Sequence, residues 1–236
     1  MILFENADVL ALDKPPGVSM ATSTKEGKSV ADAVQRLFAA CGLAAIEPLP
    51  LLVHRLDVGT SGAVLLAKSD VAHRALSYAL QQKTARKTYR ALVWGHPVPA
   101  RGTIDLALAR DPKDGRKMRA AADGKPSVTR YETLRRYPAL ADLRLSPETG
   151  RTHQIRVHVS AKGHPIAGDD FYGGAGRWHG VRDRRLREAL AGIARPLLHA
   201  ARIEIPEMGI DVAAPLPGDY EEILASLSAA RPAPNR

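Results

Sequence analysis

The feature that most constrains this chain is the run Gly62-Ala63-Val64-Leu65-Leu66-Ala67. It carries no polar side chain and follows Val58-Gly59-Thr60-Ser61, a turn composition, so it reads as a buried strand. Directly before that turn stands His54-Arg55-Leu56-Asp57. A carboxylate beside a cation, where a loop meets a rigid strand, is well placed for chemistry. Taken alone, an Arg-x-Asp pair is as readily a surface ion pair, which contributes little.

Around this strand the pattern alternates between hairpins and helices. Ile2-Leu3-Phe4 and Val9-Leu10-Ala11-Leu12 predict a hairpin, stopped by Lys14-Pro15-Pro16-Gly17. Ser29 predicts an N-cap for a helix through about Ala40, and Ser69 or Asp70 one for a helix through about Gln82. Lys87–Trp94 predicts a strand, 101–125 short strands and a polar loop, and Ser127–Arg136 with Leu140–Leu145 a strand pair. Helices are expected over Arg151–Ala161, Arg182–Ala191 and Tyr220–Ser228, and late strands over Leu197–Ile205 and Ile210–Ala213. The tail 231–236 has a disordered composition. Strands in hairpin-like pairs with helices between them predict an α+β fold with a mixed, mostly antiparallel sheet. Without an internal repeat or linker, residues 1–230 read as one catalytic-type domain.

The chain is 236 residues long and carries a net charge of +9, which predicts affinity for a polyanion, with nucleic acid the first candidate. No long Lys/Arg-faced amphipathic helix favours a membrane surface instead, and no apolar stretch is long enough to cross one. The N-terminus lacks the pattern of a signal peptide. One cysteine, Cys41, excludes an internal disulfide and a multi-cysteine zinc site, and fits a reducing cytosol. Gly173-Gly174-Ala175-Gly176 does not join a strand to a helix as a dinucleotide fingerprint must, and there is no phosphate-binding loop of the Walker type. His153, His158 and His164 invite a metal reading. His153 and His158 are five residues apart, which displaces them around a helix, and no carboxylate completes the set, so a metal site is not expected.

Asp57 is the candidate nucleophile, since a carboxylate can attack an electron-poor carbon and form a covalent intermediate. Arg151 is the candidate cation, because a guanidinium fork fits a carboxylate bidentately. At the start of the expected helix 151–161 it would oppose the macrodipole and want a compensating anion. Tyr89, mid-strand in Lys87-Thr88-Tyr89-Arg90, is either an amphipathic strand residue with a wet hydroxyl or a stacking surface for a nucleobase. The basic stretch 110–119, with Arg116, Lys117 and Arg119, and the cluster with Arg182 and Arg185 are either RNA contacts or solvated charged faces.

Three segments taken together and in order, His54-Arg55-Leu56-Asp57-Val58-Gly59-Thr60-Ser61-Gly62, Arg86–Gly95 and Gly150-Arg151-Thr152-His153-Gln154-Ile155-Arg156-Val157-His158, resemble the RluA-type pseudouridine synthases. The likeness runs from Ile2 to about Ala213 and includes Gly163–Asp169, Tyr172-Gly173 and Leu197–Ala200. It implies an isomerase that converts uridine to pseudouridine in structured RNA, ribosomal or transfer, without cofactor or metal. It implies a central mixed sheet with helices and loops around one RNA-binding cleft, in a cytoplasmic and monomeric enzyme. It gives Asp57 the nucleophile's role, Tyr89 base stacking and proton handling, and Arg151 the ion pair with Asp57. Arg55 becomes an RNA contact of the same loop. The S4-type RNA-binding module of many relatives is not expected here, which leaves target choice to the catalytic domain and its basic clusters. A noncatalytic RNA-binding or ribosome-assembly protein on the same scaffold is the alternative, and the joint presence of Asp57, Tyr89 and Arg151 speaks against it. A glycoside hydrolase or base-excising glycosylase would usually need a second carboxylate, and the matching segments hold none.

Overall fold

A computed structural model describes residues 1–21, 29–44 and 46–229. In chain order the strands are β1 (Ile2–Glu5), β2 (Val9–Lys14), β3 (Leu51–Leu52), β4 (Ser61–Ala67), β5 (Arg86–Trp94), β6 (Arg101–Asp105), β7 (Leu108–Arg110), β8 (Met118–Ala120), β9 (Val128–Arg136), β10 (Leu140–Pro147), β11 (Leu198–Ile205) and β12 (Ile210–Ala213). The α-helices are α1 (Val30–Ala40), α2 (Asp70–Gln81), α3 (Gln154–Ala161), α4 (Arg184–Ala191) and α5 (Gly218–Ala229). This is the expected α+β class, with mixed strand pairing and flanking helices. The chain forms two compact units: Met1–Lys87 with His199–Pro217, and Thr88–Leu198 with the described part of Gly218–Arg236.

In the first unit β4 is the organising strand, and all seven of its residues are buried. β2 runs antiparallel along it from Val9 opposite Ala67 to Lys14 opposite Gly62. That occupies one edge, so β11 and β3 share the other. β11 pairs in parallel at Ser61 and Gly62, and β3 pairs antiparallel at Leu66 and Ala67. Alternation sends Ala63, Leu65 and Ala67 to one face, where Val9, Ala11 and the α2 residues Ala72, Leu76 and Ala79 meet them. The helical spacing of those three α2 residues is what makes its inner face. Val64 and Leu66, on the opposite face, are also fully buried. Both helices start where their caps predict. Ser29 and Asp32 form a reciprocal capping box at α1, and Ser69 caps α2.

In the second unit the ladder order is β5, β10, β9, β6, antiparallel throughout. Ala91 and Val93 of β5 and Leu143 and Leu145 of β10 face Ile155 and Val159 of α3. Tyr89 belongs to that face and packs against the same cluster. Arg90 points the other way. There Asp142 of β10 takes its guanidinium bidentately, and the fully buried Tyr220 of α5 donates its hydroxyl to Asp142 at 3.1 Å. Burial raises the Tyr220 phenol well above its ordinary pKa, so it remains the donor. β7 and β8 form a separate hairpin.

Two boundaries differ from expectation in ways that bear on function. α3 begins at Gln154 rather than Arg151, because His153 adopts a left-handed conformation (φ 54°) and serves as the N-cap residue. Arg151 therefore precedes the helix, and the macrodipole gives no reason for it to want an anion. The stretch read as Arg182–Ala191 starts at Arg184, where the Asp183 carboxylate accepts the Leu186 N–H. A single 3₁₀ turn covers Arg177–Gly180 ahead of it. The expectation for the tail 231–236 lies outside the described residues.

Candidate active site

The turn that displays Asp57 is fixed from below. The Thr60 N–H donates to the Asp57 carbonyl at 3.0 Å, closing a four-residue turn with Val58 and Gly59 at its tip. Lys14, at the end of β2, is fully buried. Its ammonium donates to the carbonyls of Pro15 (2.9 Å), Val58 (3.2 Å) and Thr60 (2.7 Å), so its three donors meet three acceptors, two of them in this turn. The Gly17 N–H adds a bond to the Val58 carbonyl at 2.8 Å. Lys-Pro-Pro-Gly is therefore more than a strand stop. It supplies the clamp on the turn.

The far side of the turn is fixed to β11. Ser61 Oγ and His199 Nδ1 are hydrogen-bonded at 3.0 Å, and His199 Nε2–H reaches the Ala214 carbonyl at 3.3 Å. His199 is buried completely. Gly62 has φ +114°, and a Cβ there would come within 2.3 Å of the Ala200 carbonyl oxygen, so only glycine lets the two strands approach. Asp57 is partly exposed at the head of this arrangement, and Arg55 is exposed beside it. His54 takes over where the β3–β4 ladder stops: the Leu65 N–H donates to its Nε2 at 3.1 Å. The ring must then be neutral, with its proton on Nδ1. Burial, and next the nearby Lys87 charge, lower its pKa to about 3.

The second unit holds the remaining candidates. Tyr89 is half-buried on the α3 face of β5. Arg151 is exposed in the turn before α3, with its backbone N–H bonded to Gln154 Oε1 at 3.0 Å. The α3 side chains inward of it are all engaged. His158 is fully buried among Ser127, Thr129 and the Leu106 carbonyl, and burial lowers its pKa. Arg156 binds Asp169 bidentately at 2.7 and 2.8 Å, both buried, and Asp169 also accepts the N–H groups of Phe171 and Tyr172. His153 meets the Tyr172 hydroxyl at 2.6 Å, and His164 the Trp94 carbonyl at 2.9 Å. The three histidines that invited a metal reading thus serve three separate hydrogen-bond networks. Among the described residues no group of three or more His, Cys, Asp or Glu could hold a metal ion. No helix among them is long and apolar enough to cross a membrane.

The basic stretch 110–119 is folded against this corner. The Met118 N–H donates to the Tyr172 hydroxyl at 3.0 Å, and Arg116 and Lys117 lie 5.6 and 5.5 Å from the centre of the Phe171 ring. Arg116 is also paired with Asp114, and Arg119 lies 3.8 Å from Asp123. Arg182 and Arg185 are exposed near α4, whose turn is preceded by the stacked Trp178 and His179 rings at 3.7 Å. Asp57 and Arg55 belong to one unit, and Tyr89, Arg151, Arg116, Lys117, Arg119, Arg182 and Arg185 to the other. Lys14 entered the reading of the sequence only as part of a strand stop, Gln154 only within a matching segment and His158 only as a metal candidate. Their positions inside the matching motifs were the available signal.

The family model for RNA pseudouridylate synthase matches residues 8–161. An uncharacterized RNA pseudouridine synthase of Mycobacterium bovis is 36% identical over 231 residues, spanning 96% of this chain and 72% of that protein. Ribosomal large subunit pseudouridine synthase D of Neisseria meningitidis is 38% identical over 232 residues, 96% of this chain and 60% of its own length. Among solved structures, human RNA pseudouridylate synthase domain containing 1 superposes with a TM-score of 0.70 at 27% identity, covering 99% of this chain and 96% of that one. On the family match and these relatives, the chain belongs to the RNA pseudouridylate synthase family and is an isomerase acting on RNA.

Proposed function

We propose that Asp57 is the nucleophile of this RNA pseudouridine synthase, that Tyr89 stacks on the flipped uridine and handles a proton, and that Arg151 is the cation serving the Asp57 carboxylate. The reaction breaks the N1–C1′ glycosidic bond and forms a C5–C1′ bond. C5 loses a proton and N1 gains one, so the product is an isomer and no external group is consumed. A carboxylate that forms a covalent adduct, at the sugar or at the base ring, splits this into two easier steps. The observation that carries the reading is the Asp57 turn, held by buried Lys14 on one side and by the Ser61–His199 pair on the other. A nucleophile benefits from that rigidity, while a solvated ion pair has no use for it.

Substrate RNA is held, on this reading, by Arg55, Arg116, Lys117, Arg119, Arg182 and Arg185. Large-subunit ribosomal RNA is the first candidate, in view of the name of the Neisseria meningitidis relative, and transfer RNA the second. We place the enzyme in the cytoplasm as a monomer, with residues 1–230 serving as one catalytic domain.

The test is to map pseudouridines in total RNA with and without the protein, then assay Asp57→Asn and Asp57→Ala on the RNA so identified. Both variants should lose turnover while RNA binding survives, because binding comes from dispersed phosphate contacts. An Asn variant turning over at near wild-type rate would remove Asp57 from the role.

A further inference from the structure

We propose that the stacked rings of Trp178 and His179 are a platform for an unpaired base of the substrate RNA, a base other than the reacting uridine. The inference rests on the reading that this chain's basic clusters hold RNA, and it is independent of the roles given to Asp57, Tyr89 and Arg151. The two rings lie 3.7 Å apart at an interplanar angle of 21°. Consecutive residues of a 3₁₀ turn project about 120° apart, so backbone geometry alone does not stack them. The second ring is held by a bond. His179 Nδ1–H donates to the Gly176 carbonyl at 2.6 Å, and the same carbonyl accepts the His179 backbone N–H at 3.3 Å. Gly176 enters the turn at φ +71°, and the Val181 N–H closes its far end on the Trp178 carbonyl at 3.0 Å.

Trp178 is half-buried and His179 is exposed. The indole covers one face of the imidazole, so the exposed surface of His179 is the opposite face and the Nε2 edge. A ring fixed at one nitrogen and open on one face presents a flat surface whose orientation is set before a ligand arrives. That lowers the ordering cost of stacking on it. Every nucleobase has a π-face, so such a surface takes an unpaired base whatever its identity.

The charge around the platform selects a polyanion. Residues 177–188 hold five arginines, Arg177, Arg182, Arg184, Arg185 and Arg187, against Asp183 and Glu188. Both acids are engaged: Asp183 accepts the Leu186 N–H, and Glu188 pairs with Arg184 at 2.8 Å. Arg187 reaches back to the Val181 carbonyl at 3.3 Å and so joins α4 to the end of the 3₁₀ turn. Arg182 and Arg185 lie exposed within the segment joined in this way. An aromatic plane beside cations that track phosphates is the arrangement that holds single-stranded nucleic acid. An acidic peptide would use the arginines and has no use for the rings.

The test measures the affinity of the full chain for a short single-stranded RNA and for a duplex RNA across a salt series. His179→Ala should weaken single-strand binding about tenfold, within the worth of one stacked base, and leave duplex binding within about twofold. The log–log salt slope of this variant should match the wild type, because stacking releases no counterions. His179→Phe restores a flat ring and should return single-strand affinity to within about threefold of wild type. Joint Arg182→Glu and Arg185→Glu changes should do the opposite, weakening both RNAs and flattening the slope. Unchanged single-strand affinity in His179→Ala would overturn the proposal. So would an equal loss on both RNAs, a slope flattened by His179→Ala, or a Phe variant as weak as Ala. If the wild-type chain binds neither RNA, the reading that its basic clusters hold RNA falls, and the platform with it. Wild-type binding that His179→Ala leaves intact removes the platform alone.

Discussion

Lys14 and His54 show how much of the Asp57 turn depends on residues other than Asp57. Lys14→Met keeps the volume of the buried side chain but strips the Pro15, Val58 and Thr60 carbonyls of a donor. Unsatisfied buried acceptors each cost about 1–3 kcal/mol. Urea denaturation should therefore show the variant less stable by about 3 kcal/mol, with turnover reduced at least tenfold even where the protein remains folded. His54 makes a different prediction. The folded state keeps it neutral down to a pKa of about 3, while the unfolded chain binds a proton below its ordinary value of 6.5. The unfolded state then holds more protons between those two values, so the contribution of His54 is complete above pH 6.5 and is lost as pH falls toward 3. Stability measured against pH should decline through that window at up to about 1.4 kcal/mol per pH unit from this residue. His54→Asn, which has no titrating group, should flatten that part of the curve. The turn at Asp57 was legible because its signal is local: a charged residue, a turn, then an apolar run. The clamp was not, since the Lys14 contacts bridge 44 and 46 positions of sequence and no local pattern encodes them.

At the scale of elements, capped helices and alternating strands were readable, and the exceptions have a common cause. Ser29 and Ser69 announce α1 and α2 through side chains that bond their own backbone. The start of α3 has no such sign. A histidine at positive φ is uncommon, and its conformation here goes with long-range bonds to Tyr172 and the turn held by Gln154. The β7–β8 hairpin is a similar case. Its charges read as a polar, exposed loop, yet the Tyr172 hydroxyl and the Phe171 ring give it a seat. Changing Arg116, Lys117 and Arg119 to Glu should weaken RNA binding without unfolding the protein, because the Met118–Tyr172 bond remains. Turnover on a short, saturating substrate should change little. Unchanged RNA affinity in a binding titration would mean the hairpin's charges face solvent only.

For the whole molecule, a net charge of +9 sets how binding responds to salt. Each phosphate neutralised contributes about 0.9 to the log–log slope on a duplex and about 0.7 on a single strand. The triple reversal should flatten the measured slope by up to about 3, and a slope identical to wild type would reassign those three residues. The first unit is also assembled from two distant pieces of chain, Met1–Lys87 and His199–Pro217. Ser61 waits for His199, 138 positions later, and His199 in turn for Ala214. Synthesis proceeds from the N-terminus at about 5–20 residues per second. The nascent chain therefore carries its aspartate for several seconds before the strand that braces the turn has been made. Until Ser61 has met His199, the growing chain carries an Asp57 turn held from the Lys14 side alone.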